Sequence, residues 1–183
     1  MFKRDLGNGI GLLLLGERDA PEVFALVDRN REHLRRWMPW VSEGYSVDDA
    51  TRWLRSSLEQ LARNDGFQAG ITVGGALAGG IGFHAIDWSN RKTTIGYWLS
   101  ADAQGRGVMT TACRALVDHA LVELGLNRVE IRCATGNVRS RRIPERLGFT
   151  LEGVFREMEW LYDHFVDWAI YSMLARDWKA GHP

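Results

Sequence analysis

The sequence predicts a mixed α/β domain, and three observations predict it. Glycine-punctuated β-rich runs occupy 67–86, the chain's cleanest helical apolar stripe lies at 109–124 between strand-like segments, and aromatic and aliphatic runs at 154–162 and 166–174 close the sequence. Strictly alternating βαβ units would not supply consecutive strands followed by a closing β pair. The sheet should therefore be mixed, with helices packed on it.

Residues 10–15 read as the first strand. Asp19 or Ala20 opens a helical stretch through Val23, Leu26, Val27 and Leu34, closed by Pro39. Ser46 caps a helix from Val47 to Arg63, in which Ala50, Trp53, Leu54, Leu58 and Leu61 recur at helical spacing and Asp48 and Asp49 suit the positive end of the dipole. Strands 67–73 and 77–86 flank Gly74, Gly75 and Ala76, punctuation for a tight antiparallel hairpin. A strand at 92–100 is broken by Gly105 and Gly107 before a helix carrying Met109, Ala112, Cys113, Leu116, Val117, Ala120, Leu121 and Leu124. Strand 128–134 alternates Val129, Ile131 and Cys133 against Arg128, Glu130 and Arg132, and Asn137 to Leu147 is helical up to Gly148. Strands 154–162 and 166–174 follow, separated by Asp163, His164 and Phe165.

With 183 residues and no linker, repeat or low-complexity segment, the chain reads as a single domain spanning 1–183. Hydrophobic residues at 45% and charged residues at 25% are those of a folding globular chain. Lys+Arg 23 balance Asp+Glu 23, which removes the basic footprint of a general nucleic-acid or anionic-membrane binder, so anion binding must be local. The longest aliphatic run, Ile10 to Leu15, falls far short of the roughly 20 residues of a membrane span. No small-residue cleavage site follows it, so the expected compartment is the cytoplasm. Cys113 and Cys133 have neither zinc-ligand spacing nor a disulfide framework, and no metal is expected.

The most informative stretch runs from Tyr97 to Thr110: strand, loop, two glycines, then helix. Glycines let the backbone approach closely at φ > 0, and consecutive N–H groups at a helix N-terminus then face one anion such as a pyrophosphate. A tight strand-to-helix turn needs the same glycines for shape alone. No G-x-x-x-x-G-K-[ST] occurs, and neither Gly105/Gly107 nor Gly80/Gly82 completes G-x-G-x-x-G, which disfavours a dinucleotide-binding fold.

Gln104-Gly105-Arg106-Gly107-Val108-Met109 resembles the acyl-CoA pyrophosphate loop of the GNAT superfamily of N-acetyltransferases, usually Gln/Arg-x-x-Gly-x-Gly/Ala, with Met109 departing from the last small position. Gly80-Ile81-Gly82-Phe83, Ile95-Gly96-Tyr97-Trp98-Leu99, Leu126-Asn127-Arg128-Val129, Asn137-x-x-Ser140 and Leu147-Gly148-Phe149 accompany it in order. Together they resemble the ribosomal-protein N-terminal acetyltransferase branch, the serine-type and alanine-type Rim enzymes, over nearly the whole chain.

The resemblance implies the GNAT fold, a mixed central sheet with a splayed parallel strand pair, and acetyl-CoA as co-substrate. It implies that Trp98 and Leu99 offer backbone groups to the pantetheine arm. It further implies that amides of Gln104, Gly105, Arg106, Gly107, Val108, Met109 and Thr110 hold the pyrophosphate, and that Asn137 bonds the pantetheine or phosphate-side arm. An amine attacks the acetyl carbonyl, charge develops on oxygen and the CoA thiolate leaves, so the reaction needs a proton acceptor, an oxyanion donor and a proton for sulfur. Ser140, matched to Asn-x-x-Ser, is the candidate beside the thiolate; a helix cap is its alternative. Glu159 matches the position of a base that often acts through water, and a solvated edge-strand carboxylate is the alternative. Glu157 is expected on the same strand face, opposite Met158 and Trp160. No acid stands at Thr94 or Ile95, where some members carry the base.

His84 can face the acceptor or serve as a structural histidine, and Arg139, Arg141, Arg142 and Arg146 read mostly as a solvated helix face from which one arginine can meet the CoA 3′-phosphate. Trp37-Met38-Pro39-Trp40 lies where this branch places one wall of its acceptor groove, with core or dimer packing as the alternative. The expected acceptor is the α-amine of a peptide or protein, with a ribosomal protein as the leading class. Alternatives are a small-molecule amine such as an antibiotic or polyamine, and a non-catalytic acyl-CoA-binding module. An isologous homodimer is compatible with the aromatic segments.

Overall fold

The computed structural model describes residues 3–181. Its strands are β1 (Lys3–Gly7), β2 (Ile10–Leu13), β3 (Gln68–Val73), β4 (Ala76–Asp87), β5 (Lys92–Leu99), β6 (Arg128–Ala134), β7 (Thr150–Leu161) and β8 (His164–Leu174). The helices are α1 (Ala20–Arg29), α2 (Arg31–Arg35), α3 (Val47–Ala62), α4 (Val108–Asp118), α5 (Val138–Arg146) and α6 (Ala175–Gly181). All eight strands form one sheet in the order β1-β2-β3-β4-β5-β6-β8-β7. Every neighbouring pair is antiparallel except β5 and β6. The mixed sheet with flanking helices is the expected architecture.

Alternation along the strands divides the apolar residues between two cores. On one face Ile81, Phe83, Ile95, Leu99, Ile131 and Tyr171 pack with Val108, Ala112, Leu116 and Val117 of α4. On the other, Val23, Leu26 and Val27 of α1 pack with Leu34, Val41, Ala50 and Leu54, with Trp98 against their edge. The glycines of β4 explain how Trp98 fits: a Cβ at Gly80 would lie 2.6 Å from its indole Nε1, so only glycine admits the ring there.

Several elements differ from expectation. The strand β1 and the helix α6 lie outside the periodic segments, being short and held by tertiary contacts; buried Trp178 donates to Asp118 Oδ1 at 2.7 Å. The first helical stretch breaks at Asn30, whose Nδ2 bonds Leu26 O and whose Oδ1 accepts Ala101 N–H at 2.9 Å. The helix after Gly107 ends in a wide turn at His119–Glu123. The last hairpin turns at Tyr162 and Asp163 alone, since His164 already pairs with Leu161. Among the described residues no helix is long and apolar enough to cross a membrane.

Candidate active site

The parallel ladder of β5 and β6 runs only from Lys92–Arg128 to Ile95–Ile131. Beyond it, Gly96 to Leu99 continue against β4, and Arg132 to Ala134 against β8. The two strands therefore diverge, and backbone groups on the inner side of the wedge have no strand partner. At its mouth the chain turns through Gln104 to Gly107, where Gly105 (φ +77) and Gly107 (φ +74) occupy the left-handed region, and nothing lies within 4 Å of where their side chains would project. The N–H groups of Val108, Met109 and Thr110 precede the first helical bond, made by Thr111 N–H to Gly107 O at 3.0 Å. No acidic side chain stands in the first turn of α4 and no side chain caps it. Unpaired N–H groups, an unopposed helix dipole and an open glycine cradle suit an anion.

A cavity of about 450 Å³ opens here, lined by Trp98, Leu99, Gln104, Gly105, Gly107, Val108, Met109, Thr110, Asn137 and Ser140. Arg106 is exposed and is not among its lining residues. Gln104 is engaged through its side chain: Oε1 accepts from Arg139 Nη1 at 2.6 Å, and Nε2 lies 2.8 Å from His33 Nε2. With its carbonyl occupied, the amide donates to His33, which must be neutral. Burial, opposed by a hydrogen bond to the Leu99 backbone, holds that imidazole below its ordinary value. Arg139, Arg142 and Arg146 line the cavity, whereas Arg141 turns away to Tyr171 Oη at 2.9 Å and Thr135 O at 3.1 Å.

The helix α5 begins at Val138, and its cap is Asn137, whose Oδ1 accepts Ser140 N–H at 3.2 Å. Ser140 is thus three residues inside the cap, which corrects the alternative reading of Ser140 as the cap. Pro144 lies within the helix. The Ser140 hydroxyl stands 3.1 Å from Tyr97 Oη and 3.2 Å from Cys133 Sγ. Burial, with the Cys133 and Cys113 thiols close by, holds the Tyr97 phenol well above its usual value.

A second cavity of about 700 Å³ shares Trp37, Met38, Tyr97, Trp98, Asn137 and Ser140 with the first and extends past Pro39, Trp40, Tyr45, Asp49, Trp53, His84, Thr94, Arg132, Glu159 and Trp168. The Trp37–Trp40 segment forms one wall. Trp40 stacks edge-on with Trp98 at 6.0 Å, and Tyr162 Oη donates to Met38 O at 2.6 Å, tying the β7–β8 turn to this wall. Burial pushes the Glu159 carboxyl above the ordinary carboxylate value, opposed by the Trp168 indole N–H at 3.3 Å. Desolvation, reinforced by the Arg132 charge, keeps His84 below its ordinary value.

Glu157 departs from the alternation expected for β7. The register shifts between Phe155 and Glu159, Glu157 adopts φ 50, and its N–H bonds Asp167 Oδ1 at 2.8 Å. Its side chain is exposed while Glu159 faces the cavity, because a bulge breaks the period-two rule. Sequence reasoning gave Tyr97 only as part of a motif and did not single out His33. Alternation of Ile95, Tyr97 and Leu99 against Trp98 was the available signal for Tyr97; a contact between α2 and a loop 71 residues away left none for His33.

Residues 10–150 match the acetyltransferase (GNAT) domain. The chain belongs to the GNAT acetyltransferase family. It is 36% identical to the candidate ribosomal N-acetyltransferase YdaF of Bacillus subtilis (strain 168), covering 98% of both chains. Among solved structures, RimL, a ribosomal L7/L12 alpha-N-protein acetyltransferase in complex with coenzyme A, superposes with TM-score 0.91 at 25% identity, over 96% of this chain and 99% of that one. The microcin C7 self-immunity acetyltransferase MccE, in complex with acetyl-CoA and AMP, superposes with TM-score 0.87 at 29% identity, over 92% and 94%. This GNAT chain is an acetyl-CoA-dependent N-acetyltransferase.

Proposed function

We propose that this enzyme acetylates the α-amine of a polypeptide N-terminus, with a ribosomal protein as the acceptor class. The observation that carries the reading is the pair of cavities meeting at Ser140 and Tyr97, with a desolvated carboxylate, Glu159, in the outer one. In this reading the inner cavity takes acetyl-CoA: the wedge receives the pantetheine arm, and the amides from Gln104 to Thr110 receive the pyrophosphate. Asn137 Oδ1 already accepts Ser140 N–H, and its amide nitrogen is the donor it offers to the arm.

The acceptor arrives largely as an ammonium ion. Glu159, directly or through water, takes its proton, and the neutral nitrogen forms a bond to the acetyl carbon while charge moves to the carbonyl oxygen. Backbone N–H groups in the wedge stabilise that oxygen. The C–S bond then breaks, the thiolate takes the Ser140 hydroxyl proton, and Ser140 Oγ recovers a proton from the nitrogen, which sheds its second proton as the amide forms. An α-amine, with pKa near 8, is easier to deprotonate than lysine, near 10.4, by roughly 3 kcal/mol at ~1.36 kcal/mol per unit. Since no carboxylate stands at Thr94 or Ile95, this difference favours α-amines. The RimL and YdaF likenesses support the acceptor class.

The test is thiol release from acetyl-CoA over Ser- and Ala-starting peptides, polyamines and aminoglycosides, with product masses read afterward. Peptides heavier by one acetyl are the expected result. Release with small amines alone overturns the acceptor assignment, and release with none favours a binding module.

A further inference from the structure

In an α-helix the carbonyl of residue 140 would accept from the N–H of residue 144, and here that residue is Pro144, which has none. The Ser140 carbonyl is not left unpaired: Tyr97 Oη donates to it at 3.1 Å, across 43 residues of sequence. A phenol has one proton. Once that proton is committed to the Ser140 carbonyl, the phenol oxygen can only accept, and it stands 3.1 Å from Ser140 Oγ. The same tyrosine therefore grips one residue at two atoms, its main-chain oxygen and its hydroxyl. The remaining partner within reach of that hydroxyl is Cys133 Sγ at 3.2 Å.

We propose that Tyr97 is a positioning residue for Ser140, and that Pro144 directs it by withholding the helical N–H that would otherwise release the phenol proton. The inference rests on the assignment of Ser140 as the proton donor to the leaving thiolate. With the Tyr97 proton held on the carbonyl, the Ser140 hydroxyl keeps its own proton and one preferred direction. When the C–S bond breaks, the hydroxyl swings from Tyr97 to sulfur. One O–H bond breaks and one S–H bond forms, and Ser140 Oγ is reprotonated by the proton that the nitrogen sheds on becoming an amide, so Tyr97 itself stays protonated throughout.

The experiment is a double-mutant comparison in the full chain, with Tyr97→Phe, Ser140→Ala, their combination and Pro144→Ala. Tyr97→Phe is expected to lower kcat about tenfold and leave the KM for acetyl-CoA within about twofold, and in the Ser140→Ala background it should have no further effect. Pro144→Ala, which restores the helical N–H and leaves Tyr97 and Ser140 in place, should also lower kcat without raising that KM. A second readout needs no turnover: Cys133 is hydrogen-bonded to both Ser140 and Tyr97, and in Tyr97→Phe the Ser140 proton turns to Cys133, so the Cys133 S–H stretching band of the free protein should shift further than it does between Ser140→Ala and Ser140→Ala/Tyr97→Phe, where only the phenol's own contact with the thiol is lost. Equal loss from Tyr97→Phe with and without Ser140, or a thiol-band shift of equal size in the two backgrounds, overturns the proposal. Full activity of Ser140→Ala would instead defeat the Ser140 assignment on which it rests. Absence of transfer to any amine would defeat the acceptor reading while the thiol band still reports on the clamp.

Discussion

The two cavities that meet at Ser140 are made of different materials. The inner one is built largely from main chain: the wedge between β5 and β6, two glycines at positive φ, and the first N–H groups of α4. The outer one is built from side chains brought from distant segments, with Trp37 and Trp40 from the loop after α2, Trp53 from α3, Arg132 from β6, Glu159 from β7 and Trp168 from β8. Main-chain recognition suits a ligand part that never changes, since few substitutions alter a carbonyl or an N–H. Side-chain recognition can be re-cut residue by residue, which suits a variable acceptor.

The sharpest way to break this comparison is at the shared wall. Ser140→Ala should lower kcat by about a hundredfold, within the usual range for a general acid, while acetyl-CoA binding measured by calorimetry stays within about twofold. Equal loss of binding would return Ser140 to the inner cavity alone. Next in size is Glu159→Gln, for which a loss of about thirtyfold is expected. Because burial raises the Glu159 carboxyl above its ordinary 4.5, the active, ionised form fails as pH falls through that raised value. The wild-type rate should therefore show an acid limb that the variant lacks, checked by the pH dependence of kcat/KM at saturating acetyl-CoA.

The inner cavity is tested at its main chain. Gly107→Ala places a side chain at φ +74, a strain of about 1–2 kcal/mol that the free loop sheds by relaxing out of the cradle and that acetyl-CoA must restore, so the ligand should bind about tenfold more weakly with the acceptor KM unchanged. Trp40→Ala is the reverse case: a several-fold rise in acceptor KM with acetyl-CoA affinity intact, since Trp40 lines only the outer cavity. The smallest effect is that of His33. Its folded value lies below 6.5, so as pH falls past 6.5 the unfolded chain takes up a proton that the folded one resists, and stability declines. The decline should be shallower in His33→Gln, measured by denaturation between pH 7 and pH 5.

The same contrast decides what was legible in the sequence. Main-chain features leave a local signature, so the Gln104–Thr110 loop and the helices and strands around it could be read from glycine spacing and apolar periodicity. Whatever depended on a distant partner could not. Asn30 breaks a helix whose apolar pattern continues to Leu34, because its side chain binds Ala101 across 71 residues. The bulge at Glu157 is invisible to an alternation rule, which placed both glutamates on one face. Pro144 deprives the Ser140 carbonyl of its helical partner, and the replacement, the Tyr97 hydroxyl, arrives from a strand 43 residues away, beyond the reach of any local pattern.

The central claim, an acetyl group placed on a polypeptide α-amine, is tested most directly by one peptide carrying both kinds of amine. A Ser-starting peptide with an internal lysine is incubated with enzyme and acetyl-CoA, and the modified position is located by fragmentation mass spectrometry. The account predicts one added acetyl group on the α-amine with the lysine unmodified. Acetyl on the lysine, or an unmodified peptide from a preparation that still acetylates a polyamine or aminoglycoside, would contradict it.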